Sequence, residues 1–141
     1  YHVERLLELE YILGINSNFI NPIKDIEIRR KSDAEIAANE LRKAWDIGSS
    51  PIPSLIEMLE LQGVKILLID ENDAIDGFSF ITNGSIPVVI VNINSKPTDR
   101  IRFTIVHELA HLLLNIDKIV STNKRLVEEI CHFFSSCFIT P

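Results

Sequence analysis

Two histidines bracket a glutamate in the segment His107-Glu108-Leu109-Ala110-His111, and the spacing suits metal-assisted hydrolysis. If the segment is helical, four residues make slightly more than one turn, so both imidazoles leave the same face and can share one ion. Zinc accepts imidazole nitrogen at about 2.0–2.1 Å in a tetrahedral shell that two such residues half fill. Glu108 lies about 100° round the helix from His107. It is badly placed to bind the same ion but well placed to reach a water beside it. Zinc lowers the pKa of such a water to about 7, and a carboxylate can take its proton as it attacks a carbonyl. The surroundings favour this reading, because Ile105, Val106, Leu109 and Leu112 to Leu114 flank the motif. Burying two histidines and a glutamate in so apolar a stretch is costly without a partner, and a metal ion is that partner.

A third ligand is needed, and three acids compete for the role. Asp117 stands ten residues after His107, as in the pattern H-E-x-x-H-x-x-G-x-x-H/D, but that geometry needs a glycine where this chain has Leu114. Glu128 and Glu129 lie in a following apolar-patterned segment, one near each border of its apolar arc, and periodicity does not choose between them.

The elements that must position these groups follow from periodicity. A short helical stripe covers residues 3–14, and residues 15–32 read as a connecting segment. Its basic run Arg29-Arg30-Lys31 reads as solvated linker. Ser32 or Asp33 caps a helix to about Asp46, and a second helix covers roughly residues 53–62. The period then shortens. Val64 to Ile69 and Phe78 to Thr82 read as strands, Asn83-Gly84 is a hairpin signal, and Ile86 to Ile93 is the return strand. Pro87 cannot donate a ladder hydrogen bond, which points to an edge position or the strand's first residues. Thr98 caps a helix running to about Asn115, and a last helix spans about residues 122–139. Helices around a small antiparallel sheet make the fold class α+β.

Composition bounds the function. With 141 residues, 46% of them hydrophobic, the chain can bury a real core. A net charge of -6 argues against nucleic acid as a partner of this segment. Cys131 and Cys137 sit about 240° apart on one helix and cannot bridge, so a reducing, cytoplasmic setting is expected. No apolar run approaches the roughly 18 residues of a membrane span, so no membrane partner is expected. The chain opens on Tyr1 and stops at Pro141 on a patterned helix, as a piece of something longer would.

The stretch Arg102-Phe103-Thr104-Ile105-Val106 leading into the motif and Leu112-Leu113-Leu114 after it resembles the ImmA/IrrE family of metallopeptidases. So do Leu41-Arg42-Lys43-Ala44-Trp45, Pro51-Ile52-Pro53, Leu59-Glu60-Leu61-Gln62-Gly63-Val64 and Ile139-Thr140-Pro141, all in family order. The resemblance covers about residues 33–141 and implies a zincin-like metallopeptidase domain there, with residues 1–32 as an N-terminal helix and linker. Family members often carry a helix-turn-helix domain ahead of the peptidase, and Tyr11 to Pro22 resembles the joining segment. The family's last helix typically reads E-x-x-A-N-x-F-A-x-x-L-L-x-P. Laid on this chain, its glutamate falls on Glu128, which is the implied third ligand of one zinc ion. The usual Ala-Asn is Cys131-His132 here. His132, four residues after Glu128, is a candidate for orienting a ligand or competing as one.

The resemblance implies a regulatory endopeptidase whose substrate is a repressor-type, helix-turn-helix transcription factor. The alternative is a catalytically silent metal-binding module that acts by binding a partner. Zincin-like folds hold the substrate as an added strand, and Val88, Val89, Ile90 and Val91 of the return strand form the candidate edge. Arg100 and Arg102 precede the motif and are candidate oxyanion donors, with solvated or salt-bridged arginines as the plainer reading.

Overall fold

The computed structural model describes residues 19–72, 75–82, 85–120 and 122–140. The expected helix over residues 3–14 and the Asn83-Gly84 turn lie outside them. The elements run α1 (Lys31–Ala44), α2 (Leu55–Leu61), β1 (Lys65–Ile69), β2 (Gly77–Thr82), β3 (Ile86–Asn92), α3 (Thr98–Leu113), α4 (Asp117–Val120) and α5 (Lys124–Ile139). Helices and a small sheet share one core, so the α+β class holds.

Helix α1 starts one or two residues before its expected cap. The Asp33 carboxylate, at its third position, accepts from the main-chain N–H groups of Arg29 and Arg30 at 2.9 and 3.2 Å. Those bonds hold its carboxyl below the usual carboxylate range. The basic run therefore leads into the helix, with Arg30 at the N-cap and Lys31 its first residue, and its side chains stay exposed. Ala34, Ala37, Ala38 and Leu41 form the buried stripe, and three small side chains in four let α5 approach closely. Helix α5 returns Val127, Ile130, Cys131, Phe134 and Phe138 to the same core. Trp45 meets Phe138 edge-on, with ring centres 6.2 Å apart.

Arg42 is buried at this seam. It donates to the Phe138, Gly48 and Ser50 carbonyls, tying the end of α5 to the turn after α1. A carbonyl partner for each of its three nitrogens makes so deep a guanidinium tolerable.

The sheet departs from expectation. Its order is β1-β3-β2, with β1 parallel and β2 antiparallel to β3, so it is mixed rather than antiparallel. Strand β3 is central and buried along its whole length, which corrects the placing of Val88, Val89, Ile90 and Val91 on a substrate-binding edge. The continuous apolar run Ile86 to Val91 is what a strand covered on both faces needs, whereas a half-exposed edge alternates. Pro87 is accommodated because β1 pairing begins only at Val88, leaving Pro87 opposite Ile81 alone. At the other end the buried Asn92 donates to the Glu71 and Ile75 carbonyls at 3.0 and 3.1 Å, and accepts from the N–H groups of Glu71 and Asn94. That one side chain fastens the β1–β2 connection.

Helix α3 lies between the sheet and α5. Ile105, Val106, Leu109, Ala110 and Leu113 are its buried residues, which leaves His107 and His111 on a half-exposed flank. Residues 19–30, read as a connecting segment, pack as a strap with Phe19, Ile23 and Ile28 in the core. The Asn21 amide donates to the Leu113 carbonyl at 2.9 Å, satisfying one of the open acceptors at the C-terminus of α3.

Candidate metal centre

One turn of α3 separates His107 from His111, and their ring centres stand 5.2 Å apart. Helix α5, aligned by its apolar stripe and capped by Asn123, which accepts from the Leu126 N–H at 3.0 Å, brings Glu128 across them. Its Oε2 lies 2.9 Å from His107 Nε2 and its Oε1 2.9 Å from His111 Nε2. Potential ligand atoms of these three residues all fall within 4.8 Å of one another.

Two imidazole nitrogens and one carboxylate oxygen suit a borderline-soft divalent cation such as zinc, and three protein ligands leave a fourth position for water or substrate. Glu128 is largely exposed and the histidines only partly so, which opens the group to solvent on the α5 side. The donor set therefore fits the implied metal.

The competing acids stand elsewhere. Asp117 is exposed at the start of α4. Glu129 turns to Arg125, 3.4 Å away on the outer face of α5. Cys131 is close enough to feel the charges of Glu108 and Glu128, but burial above all, then those charges, pushes its thiol up to about 12. It stays protonated at neutral pH and does not supply a thiolate ligand.

Glu108 points to the sheet side. Ser79 of β2 donates its hydroxyl proton to the Glu108 carbonyl oxygen at 2.9 Å, and the same Oγ lies 3.2 Å from Glu108 Oε1. The close seam between strand and helix requires Gly77. A Cβ there would lie 2.7 Å from the Ile90 carbonyl oxygen and 3.1 Å from Thr104 Cγ2. Neither Gly77 nor Ser79 was singled out by residue type. A glycine at a strand start signals close backbone approach, and that signal was legible. Ser79, between two phenylalanines, instead looks like the solvent face of an alternating strand.

His132 lies beside the group without joining it. Its ring centre is 4.7 Å from Phe103 and 6.5 Å from His107, and it forms no hydrogen bond with His107 or Glu128. The two arginines before the motif are committed elsewhere. Arg100 pairs with Asp76 at 2.7 Å, and Arg102 donates to the Ile52 carbonyl at 2.7 Å.

Among the described residues no helix is long and apolar enough to cross a membrane. Comparison with curated proteins and with solved structures yields no match. The family model described as the IrrE N-terminal-like domain, of metallopeptidase type, matches residues 59–141, more than half of the chain, including the motif and the helix carrying Glu128. By that match this chain belongs to the IrrE N-terminal-like peptidase family.

Proposed function

We propose that residues 33–141 form a zincin-like, zinc-dependent endopeptidase in which His107, His111 and Glu128 hold one ion and Glu108 is the general base. The observation that carries the reading is the meeting of two imidazoles and a carboxylate, with a second carboxylate beside them but turned away by Ser79. Zinc held by such a set supplies a Lewis acid and a water of lowered pKa. Glu108 takes the proton of the attacking water and returns it to the departing amine nitrogen. Ser79, whose single hydroxyl proton lies within reach of the Glu108 carbonyl and its carboxylate at 2.9 and 3.2 Å, limits the rotamers open to that base.

The substrate strand moves from β3 to β2. Strand β2 has no neighbour on its outer side among the described residues and touches Glu108 through Ser79, so an extended peptide added there would pass the base. The substrate is a helix-turn-helix repressor, and the setting is the cytoplasm. The net charge of -6 speaks for a protein rather than a nucleic acid partner of this segment.

The test is zinc analysis of the purified chain together with cleavage of co-expressed helix-turn-helix repressors by wild type and Glu108→Gln. One zinc per chain in both, with cleavage by the wild type alone, supports the mechanism. Equal cleavage by both refutes the role of Glu108. Stoichiometric zinc without cleavage of any repressor favours the silent metal-binding module.

A further inference from the structure

A water attacking a peptide carbonyl leaves negative charge on its oxygen, and a positioned hydrogen-bond donor stabilises that charge strongly. A cavity of about 320 Å³ opens beside the candidate metal centre, lined by Lys31, His107, Arg125, Glu128, Glu129 and His132. Its cationic side chains are engaged. Arg125 pairs with Glu129, and Lys31 sits 5.1 Å from the centre of the Phe133 ring. Arg100 and Arg102, nearer in sequence, are bound to Asp76 and Ile52. His132 differs. Phe103 backs its ring at 4.7 Å, its ring centre is 6.5 Å from His107, and neither ring nitrogen bonds to a described residue. It is on the α5 side of α3, whereas Glu108 is held to β2 on the sheet side.

From this juxtaposition we infer that His132 is a further catalytic residue, donating a ring N–H to the scissile carbonyl oxygen as charge develops there. The inference rests on the peptidase reading above. It gives the two sides of the site separate tasks: Glu108 manages the proton of the attacking water and His132 steadies the oxygen of the substrate. A ring held by Phe103 rather than by a metal ligand keeps its donor available for the substrate.

The probe is N-phosphoryl-Leu-Trp, whose tetrahedral anion mimics the charged oxygen. Its binding is measured by calorimetry on zinc-loaded wild type, His132→Ala and His132→Gln, with zinc content and the visible spectrum of the cobalt-substituted proteins recorded in parallel. Loss of a hydrogen bond to a charged group predicts about 10- to 100-fold weaker probe binding by His132→Ala, with partial recovery in His132→Gln, which retains an N–H donor. Zinc content and the cobalt spectrum should be the same in all three. Equal probe affinity in wild type and His132→Ala, weak or strong, overturns the role of His132. So does loss of zinc or a shifted cobalt spectrum in His132→Ala, which would make the residue a ligand or its support. Failure of the wild type to bind zinc at all overturns the underlying reading of the site instead.

Discussion

Gly77→Ala probes the seam that sets Glu108 against the sheet. The added methyl carbon would lie 2.7 Å from the Ile90 carbonyl oxygen, 3.1 Å from Thr104 Cγ2 and 3.6 Å from Glu108 Cγ. The first contact is short by about half an ångström, and the obstructing atom is main chain in the central strand, paired on both sides. Helix α3 cannot simply back away, because Ile105 and Leu109 are fully buried on it. Overpacking of this kind costs about 1–3 kcal/mol, and the smaller unfolded-state entropy of alanine offsets about 0.4–1 kcal/mol of it. The net loss is about 1–2 kcal/mol, which for a domain of this size lowers Tm by roughly 3–7 °C. Zinc content should be unchanged, since His107, His111 and Glu128 belong to the α3–α5 pair rather than to the α3–β2 seam. Turnover should fall with the displaced Glu108. Calorimetry and metal analysis on the same preparation read both effects. A Gly77→Ala chain as stable as wild type would refute the close-approach argument, and loss of zinc would refute the separation of the two seams.

Glu128→Ala should weaken zinc retention by more than about 100-fold in a chelator competition, exceeding what the loss of a residue behind a ligand costs, while Glu129→Ala should stay near wild type. The reverse ranking would overturn the choice of third ligand. Arg42→Met leaves the Phe138, Gly48 and Ser50 carbonyls without their donor and should cost about 2–4 kcal/mol in urea unfolding, with zinc affinity in the folded chain retained. The Arg100 guanidinium, with Lys96 nearby, holds the Asp76 carboxyl below its ordinary range. Its folded pKa is therefore lower than its unfolded pKa. The contribution is fully present above the ordinary carboxylate range and is lost as pH falls through the folded value. The side chain is 40% exposed, so screening keeps it small. Asp76→Asn should cost about 0.5 kcal/mol at pH 7 and nothing in strong acid, and an equal cost at both pH values would show another cause.

What could be read along the chain was whatever a single element carries in its own period. Four-residue spacing put His107 and His111 on one face before any neighbour was known, and it put Glu108 off that face. The helical stripes of α1 and α5 were equally local, because each repeats the same few apolar positions against one core. The uninterrupted run Ile86 to Val91 carries the sign of a central strand, whereas Pro87 alone points to an edge, because its tolerance depends on where the β1 pairing begins. Sheet order, the pairing of Ser79 with Glu108 and the separation of Glu128 from Glu129 were decided by tertiary structure. Each depends on how two elements distant in sequence are rotated and slid against one another, and the periodicity of one element contains no measure of its partner's register. Glu128 and Glu129 differ by 100° about one axis, so the packing of α5 on α1 and α3 sends the first toward the histidines and the second toward Arg125.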